Sequence, residues 1–86
     1  MINLYRNIPE LDLHGIDREY ARVLINDFID DNYKIKEKRL RIIHGVGKGI
    51  LKKETDKTLR MNKKVESFSL NNFNVGETLV ILKVSN

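Results

Sequence analysis

Twice in this 86-residue chain a β-forming run closes on the dipeptide His-Gly, and twice a helical pattern follows. In the first run, Glu10-Leu11-Asp12-Leu13-His14, Leu11 and Leu13 fall on one side and Asp12 and His14 on the other, the two-residue period of a strand. Gly15 breaks it. Asp17 then caps a helix expected from about Asp17 to Asn32, because Ala21, Leu24, Ile25, Phe28 and Ile29 recur at spacings of three and four. The second run, Leu40-Arg41-Ile42-Ile43-His44, stops at Gly45, and Ile50, Leu51, Thr55, Thr58 and Leu59 predict a helix that ends near Asn62. A strand, glycine turn and helix used twice in succession imply parallel strands joined by right-handed crossovers.

The rest of the chain completes a sheet. Val65 to Leu70 reads as a third strand, Asn71 to Gly76 as a loop of turn formers, and Thr78 to Val84 as a fourth strand, central and buried on both faces. The expected fold class is α/β: a two-layer sandwich of order β-α-β-α-β-β with a four-stranded mixed sheet. A chain this short holds one core, so a single domain is expected over residues 1–86, with the core at about 10–84 and a lead of residues 1–9. The longest apolar run, Leu79 to Leu82, is far short of the roughly 20 residues of a spanning helix, and the first residues lack a signal-peptide core. The absence of cysteine removes disulfides, thiolate nucleophiles and cysteine-based zinc sites. No membrane partner and a cytoplasmic location are the expectations.

The formal net charge of +4 hides a strong asymmetry. Met1 to Tyr33 sets three arginines against seven carboxylates, a balance of −4, whereas Lys34 to Lys64 sets twelve Lys or Arg against Glu37, Glu54 and Asp56, a balance of +9. Such a concentration is the electrostatic footprint of a surface that meets phosphates, with a solvated lysine-rich face as the plain alternative. Lys53, Lys57, Arg60 and Lys64, spaced by four, three and four, would form one stripe on the second helix, and Lys48 and Lys52 would extend it. Tyr5 and Phe73 stand in polar surroundings and are candidates to stack on bases, although a lone aromatic can equally anchor a core.

Parallel strands bring their carboxyl ends to one edge of the sheet, where open α/β folds bind ligands. His14 and His44, the two histidines of the chain, end the two parallel strands. Two imidazoles can divide the base and acid roles that phosphodiester cleavage needs, and Asp12 can orient one ring or help hold a divalent metal such as magnesium. The alternative is two histidines satisfied by local hydrogen bonds. Between His44 and Ile50 the glycines 45, 47 and 49 alternate around Val46 and Lys48. A tight turn at positive φ accounts for one or two of them, and close approach of backbone N–H groups to an anion at a helix start accounts for all three. The spacing is neither a P-loop nor a dinucleotide fingerprint, so no nucleotide cofactor is expected.

Leu11-Asp12-Leu13-His14-Gly15 followed by His44-Gly45-Val46-Gly47-Lys48-Gly49 resembles the LDLHG and HGxGxG motifs of the Smr (small MutS-related) domain family. Gly76-Glu77-Thr78-Leu79-Val80-Ile81-Leu82 is similar to that family's final strand, so the resemblance covers residues 10 to 83. It implies a fold similar to the C-terminal domain of translation initiation factor three, and nucleic-acid binding with endonuclease activity on RNA or DNA. It implies Asp12 and His14 as catalytic candidates and His44, Gly45, Gly47, Lys48 and Gly49 as the substrate-contacting loop. The pairing of imidazoles at one edge adds His44 to the catalytic candidates, and the basic stripe adds Lys52, Lys53, Lys57 and Arg60 as residues that would hold the backbone. The resemblance admits both a small standalone protein and the end of a longer MutS2-type chain. A departure is Asn71-Asn72-Phe73-Asn74-Val75-Gly76, where many members carry a glycine-rich stretch. Two further readings stand beside the nuclease: a non-catalytic module that docks on ribosomal RNA or branched DNA, and an adaptor for an acidic protein partner.

Overall fold

The computed structural model describes residues 7–85. Six elements follow in the expected order: β1 (Glu10–Asp12), α1 (Arg18–Lys34), β2 (Arg39–Ile43), α2 (Ile50–Met61), β3 (Val65–Asn71) and β4 (Asn74–Leu82). They build one mixed four-stranded sheet of order β1-β2-β4-β3. β1 and β2 run parallel, with Asp12 opposite Ile43, and β4 is antiparallel to both β2 and β3.

Local chemistry explains where the elements stop. β1 ends two residues before the predicted His14, because the His14 N–H turns back to donate to Asp12 Oδ1 at 2.9 Å and the Ile16 N–H donates to the Leu13 carbonyl. The Asp17 carboxylate accepts from the Tyr20 N–H at 2.9 Å and so caps α1 as its position in the sequence predicts. β4 begins at Asn74, four residues earlier than expected. Asn71 and Asn74 pair across the ladder and leave a loop of only Asn72 and Phe73. Amide side chains that signal loops are here used to brace a tight hairpin.

Leu13, Ala21, Ile25, Ile29, Leu40, Ile42, Leu59, Val80 and Leu82 form a fully buried core between the sheet and the helices. The two helices pack side by side, joined by a hydrogen bond from Asn62 Nδ2 to Asn26 Oδ1 at 3.0 Å. β4 is central, but the expectation that both its faces are buried fails. Thr78, Val80 and Leu82 are buried while Leu79 and Ile81 between them are only half-buried, since both helices cover the same side and leave the other open. Among the described residues no helix is long and apolar enough to cross a membrane.

Candidate nucleic-acid interface

The parallel register brings the two His-Gly turns side by side. The Leu13 N–H donates to the Ile43 carbonyl at 2.8 Å, so His14 and His44 leave the sheet at the same edge. Their surroundings differ. His14 is exposed, and the carboxylate of Asp12 fixes its backbone rather than its ring. His44 is 6 % exposed, with Nδ1 at 2.8 Å from the Gly45 carbonyl and Nε2 at 2.9 Å from the Thr78 hydroxyl. A carbonyl only accepts, so Nδ1 carries the proton, and in the neutral ring Nε2 accepts from Thr78. Both nitrogens of His44 are therefore engaged inside the protein.

The glycine loop starts from that anchored histidine. The N–H groups of His44 and Gly45 both donate to the Gly76 carbonyl, tying the loop to β4. Gly45 has φ of +77° and Gly49 +79°, conformations that a side chain disfavours. Gly47 lies outside the left-handed region, and a Cβ there would meet nothing within 4 Å. Backbone geometry thus explains two of the three alternating glycines and leaves Gly47 unexplained by the fold. Gly49 is the N-cap of α2 with no side-chain cap, and the first turn of α2 holds no acidic residue. Val46, Gly47, Lys48 and Gly49, with Ile16, His44 and Leu51, line a hollow of about 300 Å³ at this helix start. Orphan N–H groups and the dipole of α2 favour negative charge there.

The basic residues divide by what they touch. Lys53, Lys57 and Arg60 are exposed along α2 as expected, and Lys48 is exposed in the loop. Lys52 is committed to Asp56 at 2.8 Å. Lys64 lies beyond the end of α2, paired with Asp30 and 5.5 Å from the centre of the Tyr33 ring, so it leaves the predicted stripe. Tyr5 lies outside the described residues. Phe73 is no core anchor: it is 100 % exposed.

Two buried carboxylates escaped the sequence reading. Glu54 is 4 % exposed between the helices, where it accepts from Arg22 Nε at 3.2 Å and from the Thr58 hydroxyl at 3.1 Å. Burial alone would raise its pKa. The hydrogen bonds from Arg22 and Thr58 and the charges of Arg22 and Lys57 outweigh burial and hold it below the ordinary 4.5. Arg22 lies beside Lys57 on the same groove. Glu77, the second carboxylate, receives Arg41 Nε at 3.2 Å and Asn71 Nδ2 at 2.7 Å. A charged residue on the apolar stripe of α2 is the signal that singles out Glu54; nothing local marks Glu77. Among the described residues no group of three or more His, Asp or Glu side chains is placed to hold a metal ion.

Known proteins share this sequence pattern and fold. The Smr domain family matches residues 11–83. The chain is 33 % identical over 85 residues to an endonuclease MutS2 of Clostridium perfringens and 40 % identical over 62 residues to that of Symbiobacterium thermophilum. Those matches take in 95 % and 72 % of this chain, but it spans only 11 % and 8 % of the relatives' length. The crystal structure of the Smr domain of Thermus thermophilus MutS2 superposes with a TM-score of 0.85 at 29 % identity, covering 88 % of this chain and 99 % of that one. YdaL, a stand-alone small MutS-related protein of Escherichia coli, shares the fold with a TM-score of 0.80 at 21 % identity over 85 % of this chain and 63 % of that one. With its motifs set at one sheet edge and matched along most of its length, the chain belongs to the Smr domain family.

Proposed function

We propose that this edge of the sheet binds and cleaves the phosphodiester backbone of RNA or DNA. The observation that carries the reading is the convergence of an exposed imidazole, His14, a carboxylate, Asp12, and the glycine loop at the start of α2. A scissile phosphate seated over the loop would take backbone N–H groups on its oxygens. His14 and the second oxygen of Asp12, which makes no hydrogen bond among the described residues, would divide the work. One takes the proton of the attacking hydroxyl or water, and the other gives a proton to the leaving oxygen. His44 acts differently from the catalytic role that pairing the two imidazoles suggests. With both nitrogens engaged, it positions the loop. Lys48, Lys53, Lys57, Arg60 and Arg22 hold the strand. The names of the MutS2 relatives support the nuclease reading.

The test is single-turnover cleavage of a labelled structured RNA beside a supercoiled plasmid, with magnesium and with EDTA. Cleavage that vanishes in His14→Ala while affinity persists supports a nuclease. One observation favours a second reading, a binding module without chemistry: a single imidazole, not two, is free at the edge. Intact binding with both substrates uncut in every condition selects that module.

A further inference from the structure

The most exposed large apolar side chain among the described residues sits on one of the most heavily braced turns. Phe73 is 100 % exposed at the β3–β4 tip. Asn71 Oδ1 accepts from the Phe73 N–H at 2.9 Å, and Asn74 Oδ1 accepts from the Gly76 N–H at 3.0 Å. The amides of Asn71 and Asn74 both donate to the buried carboxylate of Glu77, at 2.7 and 3.5 Å. The ring is thus presented by a fixed turn, not left out by loose packing. The same turn belongs to the candidate site, since the Gly76 carbonyl receives the N–H groups of His44 and Gly45 and a Cβ at Gly76 would lie 3.5 Å from the Gly45 Cα. Beside the ring, Arg41, Ser69, Asn71, Asn72 and Leu79 line an open hollow of about 540 Å³.

We propose that Phe73 is a stacking platform for one unpaired base next to the bound backbone, so that the substrate class is nucleic acid with unpaired nucleotides at the site, not continuous duplex. This rests on the nucleic-acid reading above. A paired base hides both its faces in the helix, while an unpaired base offers one to an aromatic ring without regard to its identity. The Asn72 amide and the Ser69 hydroxyl that line the hollow suit the polar edge of a base. A protein partner would call for a contiguous apolar patch, and the ring's nearest neighbours along the turn, Asn71, Asn72 and Asn74, are polar, with Val75, Leu70 and Leu79 as the apolar residues near it.

The experiment compares wild type, Phe73→Ala and Phe73→Trp on a single strand, a stem-loop and a fully paired duplex, each as RNA and as DNA. The ring touches no core, so both variants should melt with the wild type. Phe73→Ala is expected to lose about fivefold to a hundredfold in affinity for the single strand and the loop, and nothing for the duplex. The chain has no tryptophan, so Phe73→Trp adds a unique fluorophore. Its emission should be quenched by a single strand, and less by a strand carrying an abasic spacer run. Undiminished single-strand binding by Phe73→Ala, or bound single strands that leave the Phe73→Trp emission unmoved, would overturn the platform and leave the nucleic-acid reading standing. Wild-type protein that binds none of the six ligands at low salt would overturn both.

Discussion

Gly47 and Gly49 stand two residues apart in one loop, yet they should respond to alanine in opposite ways. Gly49 sits at φ +79° at the head of α2, where a Cβ meets its own backbone and the left-handed conformation costs about 1–2 kcal/mol. Gly47 is outside that region, and a Cβ there enters open space. Alanine at such a position removes freedom from the unfolded chain and is neutral or stabilising by up to about 1 kcal/mol. In a domain of this size each kcal/mol moves the melting temperature by about 4–8 °C. Gly49→Ala should therefore melt about 4–16 °C lower, and Gly47→Ala at or slightly above the wild type. If Gly47 is a glycine because a phosphate comes close to its backbone, Gly47→Ala should lose affinity or cleavage despite its intact fold. Calorimetric melting beside filter binding separates the two. A Gly47→Ala protein that melts well below the wild type would refute the geometric argument, and one that is stable and binds undiminished would remove the cradle.

The two histidines should also part company: His14→Ala, at an exposed position, should leave the melting temperature unchanged while cleavage is lost, whereas His44→Ala should cost about 1–3 kcal/mol by stranding Thr78 and the Gly45 carbonyl, read by thermal melting. Because the Glu54 carboxyl titrates below its ordinary 4.5 in the folded chain, folding favours its charged form; that contribution is full above 4.5 and is lost as pH falls through the lower folded value. Melting temperature should drop over that acid range, and Glu54→Gln should flatten this part of the profile. Lys53→Ala and Lys57→Ala, on exposed positions of α2, should each weaken binding and reduce the salt slope by about one, while Lys64→Ala, whose cation is already matched by Asp30, should change the slope little.

What was legible in the sequence is what depends on neighbours along the chain. The alternation of Leu11 and Leu13, the cap at Asp17 and the three-four spacing of Ala21, Ile25 and Ile29 are local, and each reappears as β1, the start of α1 and its buried stripe. The two His-Gly turns are local signals too, and the parallel register brings them to one edge of the sheet. What failed was decided across space. Asn71 and Asn74 read as loop because amide side chains favour turns, but pairing with each other and with Glu77 extended the hairpin through them. His44 looked equivalent to His14 until Thr78, thirty-four positions on, took its second nitrogen. Arg22 and Glu54 meet thirty-two positions apart, a separation no local pattern encodes.

The charge count shows the same division and sharpens the functional reading. By sequence the middle third carries +9, a field broad enough to suit many acidic partners. In the fold three of its twelve cations are already matched: Lys52 by Asp56, Lys64 by Asp30 and Arg41 by Glu10 and Glu77. The acidic residues of the first third do this work in part, since Glu10 and Asp30 come from there. Among the described residues, what stays without an ion pair near the site is a narrower set, Lys48 in the loop and Lys53 and Arg60 along α2, with Lys57 and the outer face of Arg22 over Glu54. Those cations lead from the glycine loop down the helix layer, while Phe73 stands on the hairpin at the same edge of the sheet. Along that edge His14 and Asp12 stand at the end of β1, the glycine loop follows β2, and Phe73 tops the β3–β4 hairpin, so a strand crossing it would meet them in that order. A diffuse basic surface would bind any polyanion, but this ordering suits the proposed backbone with an unpaired base. That geometry, more than the net charge, is what favours nucleic acid over an acidic protein.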